Sequence, residues 1–143
     1  MSRITLTVEH DGTEYVGEIM TIESTRFGWE DHGILTAHLH CKYDGGGVGV
    51  GGFCLDVKGE SDSFSHVDRV GTAYGLDHLM KLMVTVGVTS WEALPGTDVI
   101  VLSTGEGGWG SMSLGIAGLK NGRVLLLKEH AEAWRTQDAG AES

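Results

Sequence analysis

The chain has 143 residues, a length typical of one domain with its own hydrophobic core. Its 20 acidic residues outnumber its 10 lysines and arginines, and the resulting net charge of −10 opposes direct binding to nucleic acid or to anionic membranes. The chain has two cysteines, no apolar leader and no run of about 20 apolar residues, which favours a reduced, cytoplasmic protein without a membrane span.

The amino-terminal region has the pattern of a β-hairpin. Apolar and polar side chains alternate from Arg3 to Glu9, as they do in a half-buried strand, and Asp11-Gly12 is a dipeptide favoured in tight hairpin turns. We therefore predict a hairpin over residues 3–22. The segment 23–33 interrupts the alternation and is predicted to be a loop that carries function.

Glycines dominate the segment after the next predicted strand, residues 34–41. Over 44–52 the glycines Gly47, Gly49 and Gly51 alternate with valines. In a strand this spacing leaves one face without side chains, so that a ligand or another backbone can approach closely. Both interpretations, ligand binding and close packing, remain open.

One segment has a clear helical period. We predict a helix from about Ala73 to Val86, which Thr72 caps at its start and Gly87 at its end, after an exposed loop over 57–69. The residues predicted to form its buried face are Leu76, Leu79, Met80, Met83 and Val86.

The remaining pattern completes an α+β domain. In chain order it predicts a buried strand over 98–104, a strand that includes 112–116, a type I′ turn at Asn121-Gly122, a return strand over 123–127 and a short helix to about Trp134. We predict a single domain over residues 1–137, with a mostly antiparallel sheet on which the main helix packs, and a disordered tail over 138–143.

Two glycine-rich segments match the dinucleotide-binding fingerprint, Gly47–Gly52 and Gly105–Gly110. That fingerprint needs a helix directly after the loop, whose N-terminus faces the pyrophosphate, whereas extended sequence follows both segments here. We therefore predict no dinucleotide site and no cofactor. A nest of backbone N–H groups for an anion remains open beside simple packing.

Three histidines suggest an alternative chemistry. His38 and His40 share one face of a predicted strand, and His32 lies in the loop before it. Imidazoles are ligands for Zn²⁺, and Glu30, Asp31 or Asp56 would then supply a general base. A small metal-dependent hydrolase is therefore an alternative to a binding protein, and an acidic mimic of nucleic acid is another.

The favoured hypothesis is one recognition surface that combines cations, aromatic rings and bare backbone. Its predicted residues are Arg26, Trp29, Asp31, His32, Gly47, Gly49, Gly51, Gly52, Arg69, Thr72 and Tyr74. The arginines and backbone amides would receive negative charge, while Trp29 or Tyr74 would stack on a flat group. On this hypothesis, replacing Arg26 or Arg69 by Ala abolishes binding and leaves thermal stability unchanged.

Five blocks of sequence carry a resemblance to a family. They are IEST at Ile22–Thr25, EDHGI at Glu30–Ile34, GVGGFCLD at Gly49–Asp56, RVGTAYG at Arg69–Gly75 and WEALPG at Trp91–Gly96. These blocks resemble an uncharacterised family of small proteins from tailed bacteriophages and prophages, for which we know no activity. The resemblance implies a phage-encoded, non-enzymatic binding or inhibitory protein of the anti-defence type. Its partner would be a host protein or a small anionic ligand such as a nucleotide, and it would act in the host cytoplasm. Whether it forms a homo-oligomer is left open by the sequence.

Overall fold

The computed structural model describes residues 4–30, 33–59, 65–103 and 113–141, and the side chains of 136–141 are left out of the description. The strands are β1 (Thr5–His10), β2 (Thr13–Trp29), β3 (Leu35–Tyr43), β4 (Gly46–Gly51), β5 (Asp56–Lys58), β6 (Arg69–Gly71), β7 (Asp98–Ser103), β8 (Gly115–Ala117) and β9 (Val124–Leu126). The helices are α1 (Ala73–Val86) and α2 (Leu127–Ala141), with 3₁₀ turns at His66–Asp68 and Trp91–Ala93. The predicted α+β class is confirmed.

The main sheet has seven strands and only antiparallel pairs among its described residues. Its order is β4-β3-β2-β7-β8-β9, and β1 pairs with the first half of β2. Strands β5 and β6 form a separate two-stranded ribbon. Because β2 is long, it pairs with β7 through its first half and with β3 through its second half, and it thereby joins the two ends of the sheet.

Two turns were predicted from dipeptides, and the structure distinguishes them. Asp11 and Gly12 both have positive φ, 49° and 80°, as a type I′ turn requires, so the first hairpin is confirmed. At the second turn Gly122 has positive φ and Asn121 does not, so the hairpin of β8 and β9 exists but its type I′ turn was wrong. There the Asn121 amide instead donates to the Val84 and Thr85 carbonyls of α1.

The predicted loop over 23–33 is mostly strand. Strand β2 continues to Trp29, with a register shift between Ile22 and Ser24 where Glu23 is an extra residue. Such a bulge moves every later side chain to the opposite face, so the alternation in the sequence breaks although the backbone remains extended. The predicted loop over 57–69 was likewise wrong at its two ends, which form β5 and β6.

Helix α1 has the predicted bounds and caps, but its predicted buried face was only partly right: Val86 is buried and Met83 packs against the core, whereas two other members are exposed. Leu76 is 63% exposed and Met80 47% exposed. A Cβ at Gly75 would collide with the Leu55 carbonyl oxygen, so the helix packs closely through a glycine that a hydrophobicity pattern does not register. The residues that are buried are Gly75, His78, Leu82, Thr85 and Val86.

Both faces of the sheet contribute to a hydrophobic core. The larger cluster lies between the sheet and α1 and includes Met20, Leu39, Leu82 and Val101, all at most 1% exposed. A smaller cluster on the other face packs Ile100 and Leu102 against the β1–β2 hairpin. Helix α2 follows β9 directly and continues to Ala141, beyond its predicted end near Trp134. No described helix is long and apolar enough to cross a membrane.

Candidate functional site

The bulge at Glu23 divides the predicted recognition surface between two faces of the sheet. Before it, Ile22 lies beside Cys41 on the core face, and after it, Arg26 lies beside His38 on the outer face. Trp29 is three residues further along the same strand and therefore faces the helix side, where it contacts Asp56. A single surface that contains both Arg26 and Trp29 is therefore excluded.

An open groove lies over the outer face of β3 and β4, with a volume of about 560 Å³. Register pairs His40 with Gly49 and Lys42 with Gly47, so these side chains lie next to bare backbone. We call this the glycine groove; it is lined by Glu23, Ser24, His40, Cys41, Lys42, Gly45, Gly46, Gly47, Val48 and Gly49. It contains two of the predicted binding glycines, Gly47 and Gly49.

The glycines of the 44–52 segment have different structural roles. A Cβ at Gly49 would meet nothing within 4 Å, so its face is open. At Gly47 a Cβ would lie 2.9 Å from the Cys41 carbonyl oxygen, and at Gly51 it would collide with the Ala37 carbonyl oxygen. Gly51 and Gly52 also have positive φ, 121° and 97°, which side chains disfavour. The packing interpretation therefore holds at Gly47 and Gly51, and the open-face interpretation holds at Gly49.

His40 and Lys42 line the glycine groove, and Arg26 and His38 lie further along the same outer face. Arg26 is 59% exposed and its Nε lies 2.7 Å from Glu30 Oε1, whereas Lys42 Nζ lies 4.0 Å from Glu23 Oε2. His38 and His40 follow each other on the same face, with ring centroids 6.4 Å apart. The outer face of β2 and β3 thus concentrates cations and imidazoles in an acidic protein.

Arg69 is not free to bind a ligand, contrary to its predicted role. Its guanidinium makes two hydrogen bonds to the Asp56 carboxylate, from Nη2 to Oδ1 at 2.7 Å and from Nε to Oδ2 at 3.0 Å. Asp56 also accepts from the Leu35 backbone N–H at 3.0 Å and from Trp29 Nε1 at 3.3 Å. The hydrogen bonds and charge of Arg69, followed by the Leu35 N–H, lower the pKa of Asp56 from 3.8 to about 2. The cluster ties β5, β6 and the end of β2 together.

Thr72 and Tyr74 lie at the start of α1. Thr72 Oγ1 accepts from the Gly75 N–H at 2.9 Å and donates to the Leu55 carbonyl at 2.8 Å, so it is the helix cap. Tyr74 lines a second cavity, of about 310 Å³, whose other aromatic walls are Phe53 and Trp134. Both residues are on the helix side of the sheet, together with Arg69 and Trp29 and away from the glycine groove.

The predicted metal ligands are only partly described. Asp31 and His32 lie outside the described residues, while His38 and His40 are on the outer face as expected. Within the described residues, the group of His, Cys, Asp and Glu whose ligand atoms all come within 4.8 Å of one another is His10, Asp11 and Glu129. It lies where the β1–β2 turn meets α2, away from the predicted histidines.

Sequence reasoning missed a buried cluster on α1 and α2. His78 is not among the residues predicted to form the buried face of α1, yet it is fully buried beside Tyr74 and His130. His78 lies three residues after Gly75 and four before Leu82, so the helical period that contains Gly75 would have placed it inward.

Fold and sites together define an α+β domain with an antiparallel main sheet, an open groove over the outer face of β3 and β4, and helix α1 packed on the core face. Comparisons with protein-family models, with curated proteins and with solved structures found no match to the chain.

Proposed function

We propose that the chain is a non-enzymatic binding protein that takes a small anionic ligand, of the nucleotide class, in the glycine groove. The observation that carries the proposal is the open face at Gly49, where a Cβ would meet nothing within 4 Å, next to His40 and close to Lys42. Backbone free of side chains lets an anion approach closely, and the neighbouring side chains supply donors.

The ion pairs beside the groove do not prevent anion binding. Arg26 and Lys42 are 59% and 66% exposed, and exposed pairs of this kind contribute at most about 1 kcal/mol. A phosphate group can therefore replace Glu30 or Glu23 as the partner of these cations at low cost. Because the chain carries a net charge of −10, such a local cation cluster is what an anionic ligand needs.

The resemblance to phage proteins gives this binding a role. A phage-encoded protein that sequesters a nucleotide signal in the host cytoplasm would act as an anti-defence inhibitor without catalysis. A host protein as partner and mimicry of nucleic acid are the alternatives, and no geometry among the described residues favours either over the small ligand.

The test uses two glycines that both have open space. Gly49→Val fills the groove without a backbone clash, and Gly71→Val is the matched control, since a Cβ at Gly71 on β6 also meets nothing within 4 Å. Valine suits a strand, so both variants should fold. We expect Gly49→Val to weaken binding at least about tenfold, or roughly 1.4 kcal/mol, and Gly71→Val to leave binding unchanged.

The measurement is isothermal titration with inorganic phosphate, ATP and a cyclic dinucleotide, combined with amide NMR shifts of ¹⁵N-labelled protein. Binding should shift the amide resonances of Gly47 and Gly49 and leave the amide resonances of β6 unchanged. The proposal is wrong if none of the three anions binds, or if Gly49→Val binds them as tightly as Gly71→Val does.

A further inference from the structure

Four buried polar atoms without a hydrogen-bond partner among the described residues cluster between α1 and α2. They are Tyr74 Oη, His78 Nδ1, His78 Nε2 and His130 Nδ1. Buried polar atoms nearly always have a partner, and each one left without costs about 1–3 kcal/mol. Several such atoms in one place indicate that something other than protein satisfies them.

The three rings that carry these atoms are all neighbours of one another. Ring centroids are 5.5 Å apart for Tyr74 and His130, 5.8 Å for Tyr74 and His78, and 6.1 Å for His78 and His130. Two imidazoles on one tetrahedral ion have ring centres about 5.3 Å apart, given a metal–nitrogen distance of about 2.1 Å, a ring radius of about 1.2 Å and an angle of about 109°. Binding therefore requires the His78 and His130 rings, which are 6.1 Å apart, to approach each other by roughly 0.8 Å.

Asp77 fixes the orientation of His130. Its carboxylate Oδ2 lies 2.7 Å from His130 Nε2 and 3.1 Å from Trp134 Nε1, while Lys81 Nζ lies 3.1 Å from Oδ1. A carboxylate only accepts hydrogen bonds, so Nε2 is the donor here, which leaves Nδ1 as the ring atom available to a metal. Histidines that bind metals commonly donate their other N–H to a carboxylate in this way.

We propose that His78, His130 and Tyr74 bind one first-row transition metal ion of the Zn²⁺ type. Two imidazole nitrogens and one oxygen suit this class of ion better than Mg²⁺ or Ca²⁺, which take oxygen ligands. Tyr74 lines the cavity that it shares with Phe53 and Trp134, and His130 lines another cavity of about 310 Å³. This site is independent of the glycine groove and differs from the histidines predicted to bind metal.

The experiment uses the full chain without a histidine tag, stripped with a chelator and titrated with Zn²⁺ alone and, separately, with Co²⁺. We expect one Zn²⁺ per chain and visible Co²⁺ absorption typical of nitrogen and oxygen ligands. His78→Phe keeps an aromatic ring in the core and should weaken Zn²⁺ binding at least about 100-fold. Its metal-free fold should be intact, because the substitution removes two unpartnered polar atoms.

The competing site among the described residues supplies the control. Glu129→Gln removes a carboxylate from the exposed group of His10, Asp11 and Glu129, and should leave Zn²⁺ affinity unchanged. Binding that survives His78→Phe and is lost in Glu129→Gln would assign the ion to the exposed group and overturn the proposal. A folded wild-type protein that takes up no Zn²⁺ or Co²⁺ would also overturn it, and internal water would then be the partner of these atoms.

Discussion

The Asp56 carboxylate receives both nitrogens of the Arg69 fork, the Leu35 N–H and the Trp29 indole, and only 4% of Asp56 is exposed. Arg69 is correspondingly sequestered, with 16% of its side chain exposed. From the sequence it was grouped with Arg26 as a free cation, because composition and spacing do not show which arginine has a buried partner. The partner of Arg69 is Asp56, thirteen residues earlier in the chain. It lies on β5, the other strand of the β5–β6 ribbon, in a region that was mostly predicted to be a loop.

The two arginines should therefore respond differently to the same substitution. Arg69→Ala leaves the buried Asp56 carboxylate without its cation, and we expect it to lower the free energy of unfolding clearly more than Arg26→Ala does. Arg26→Ala removes an exposed pair and should cost less than about 1 kcal/mol. Urea unfolding followed by circular dichroism measures both values. Equal losses would mean that the Asp56–Arg69 pair is not a buried structural pair.

At the scale of elements, local signals predicted most extended and helical segments, but not the second half of β2 or the β5–β6 ribbon, and long-range packing decided which face is buried. The bounds of α1 followed from Thr72 and Gly87, whose capping geometry is set within a few residues. The buried face of α1 did not, because it depends on the contact of Gly75 with Leu55, twenty residues earlier in the chain. The bulge in β2 was missed for a related reason, since only pairing with β3 reveals an extra residue.

Two cap positions provide a test at this scale. Thr72 and Ser90 both precede a helical turn, but only Thr72 makes a side-chain cap hydrogen bond. We expect Thr72→Ala to lower the free energy of unfolding by about 1–2 kcal/mol, because it also loses the bond to the Leu55 carbonyl. Ser90→Ala should change it by less than about 0.5 kcal/mol. A loss at Ser90 as large as the loss at Thr72 would contradict this view of the α1 cap.

For the whole molecule, the sequence was sufficient to predict an α+β domain with a mostly antiparallel sheet, since hairpin turns and one amphipathic helix are local features. It was not sufficient to place the candidate sites. Arg26 and Trp29 are three residues apart yet lie on opposite faces, and His78 and His130 come together from two helices separated by three strands. Such relations exist only once the strands have paired and the helices have docked.

The side chains of His78, Asp56 and Asp77 predict that the stability of the metal-free protein falls in two steps as the pH is lowered. Burial, followed by the nearby His130, lowers the pKa of His78 from 6.5 to about 4, so the unfolded chain binds a proton that the folded chain rejects between these values. Stability present above pH 6.5 is therefore lost as the pH falls to 4, by roughly 3 kcal/mol. The pKa values of Asp56 and Asp77 are lowered from 3.8 to about 2, so their contribution is complete above pH 4 and disappears as the pH falls to 2.

Urea unfolding from pH 8 to pH 2, in the presence of a chelator, measures both steps. His78→Phe should abolish the step between pH 6.5 and 4 and retain the step below pH 4, whereas Asp56→Asn should reduce only the lower one. The net charge also diminishes toward the isoelectric point near 5.0, which weakens self-repulsion and opposes the first step in wild type and variant alike. The difference between wild type and His78→Phe therefore isolates the histidine. If the two proteins lose the same stability between pH 6.5 and 4, the imidazole of His78 is not buried in the neutral form, and the cluster between α1 and α2 is open to solvent.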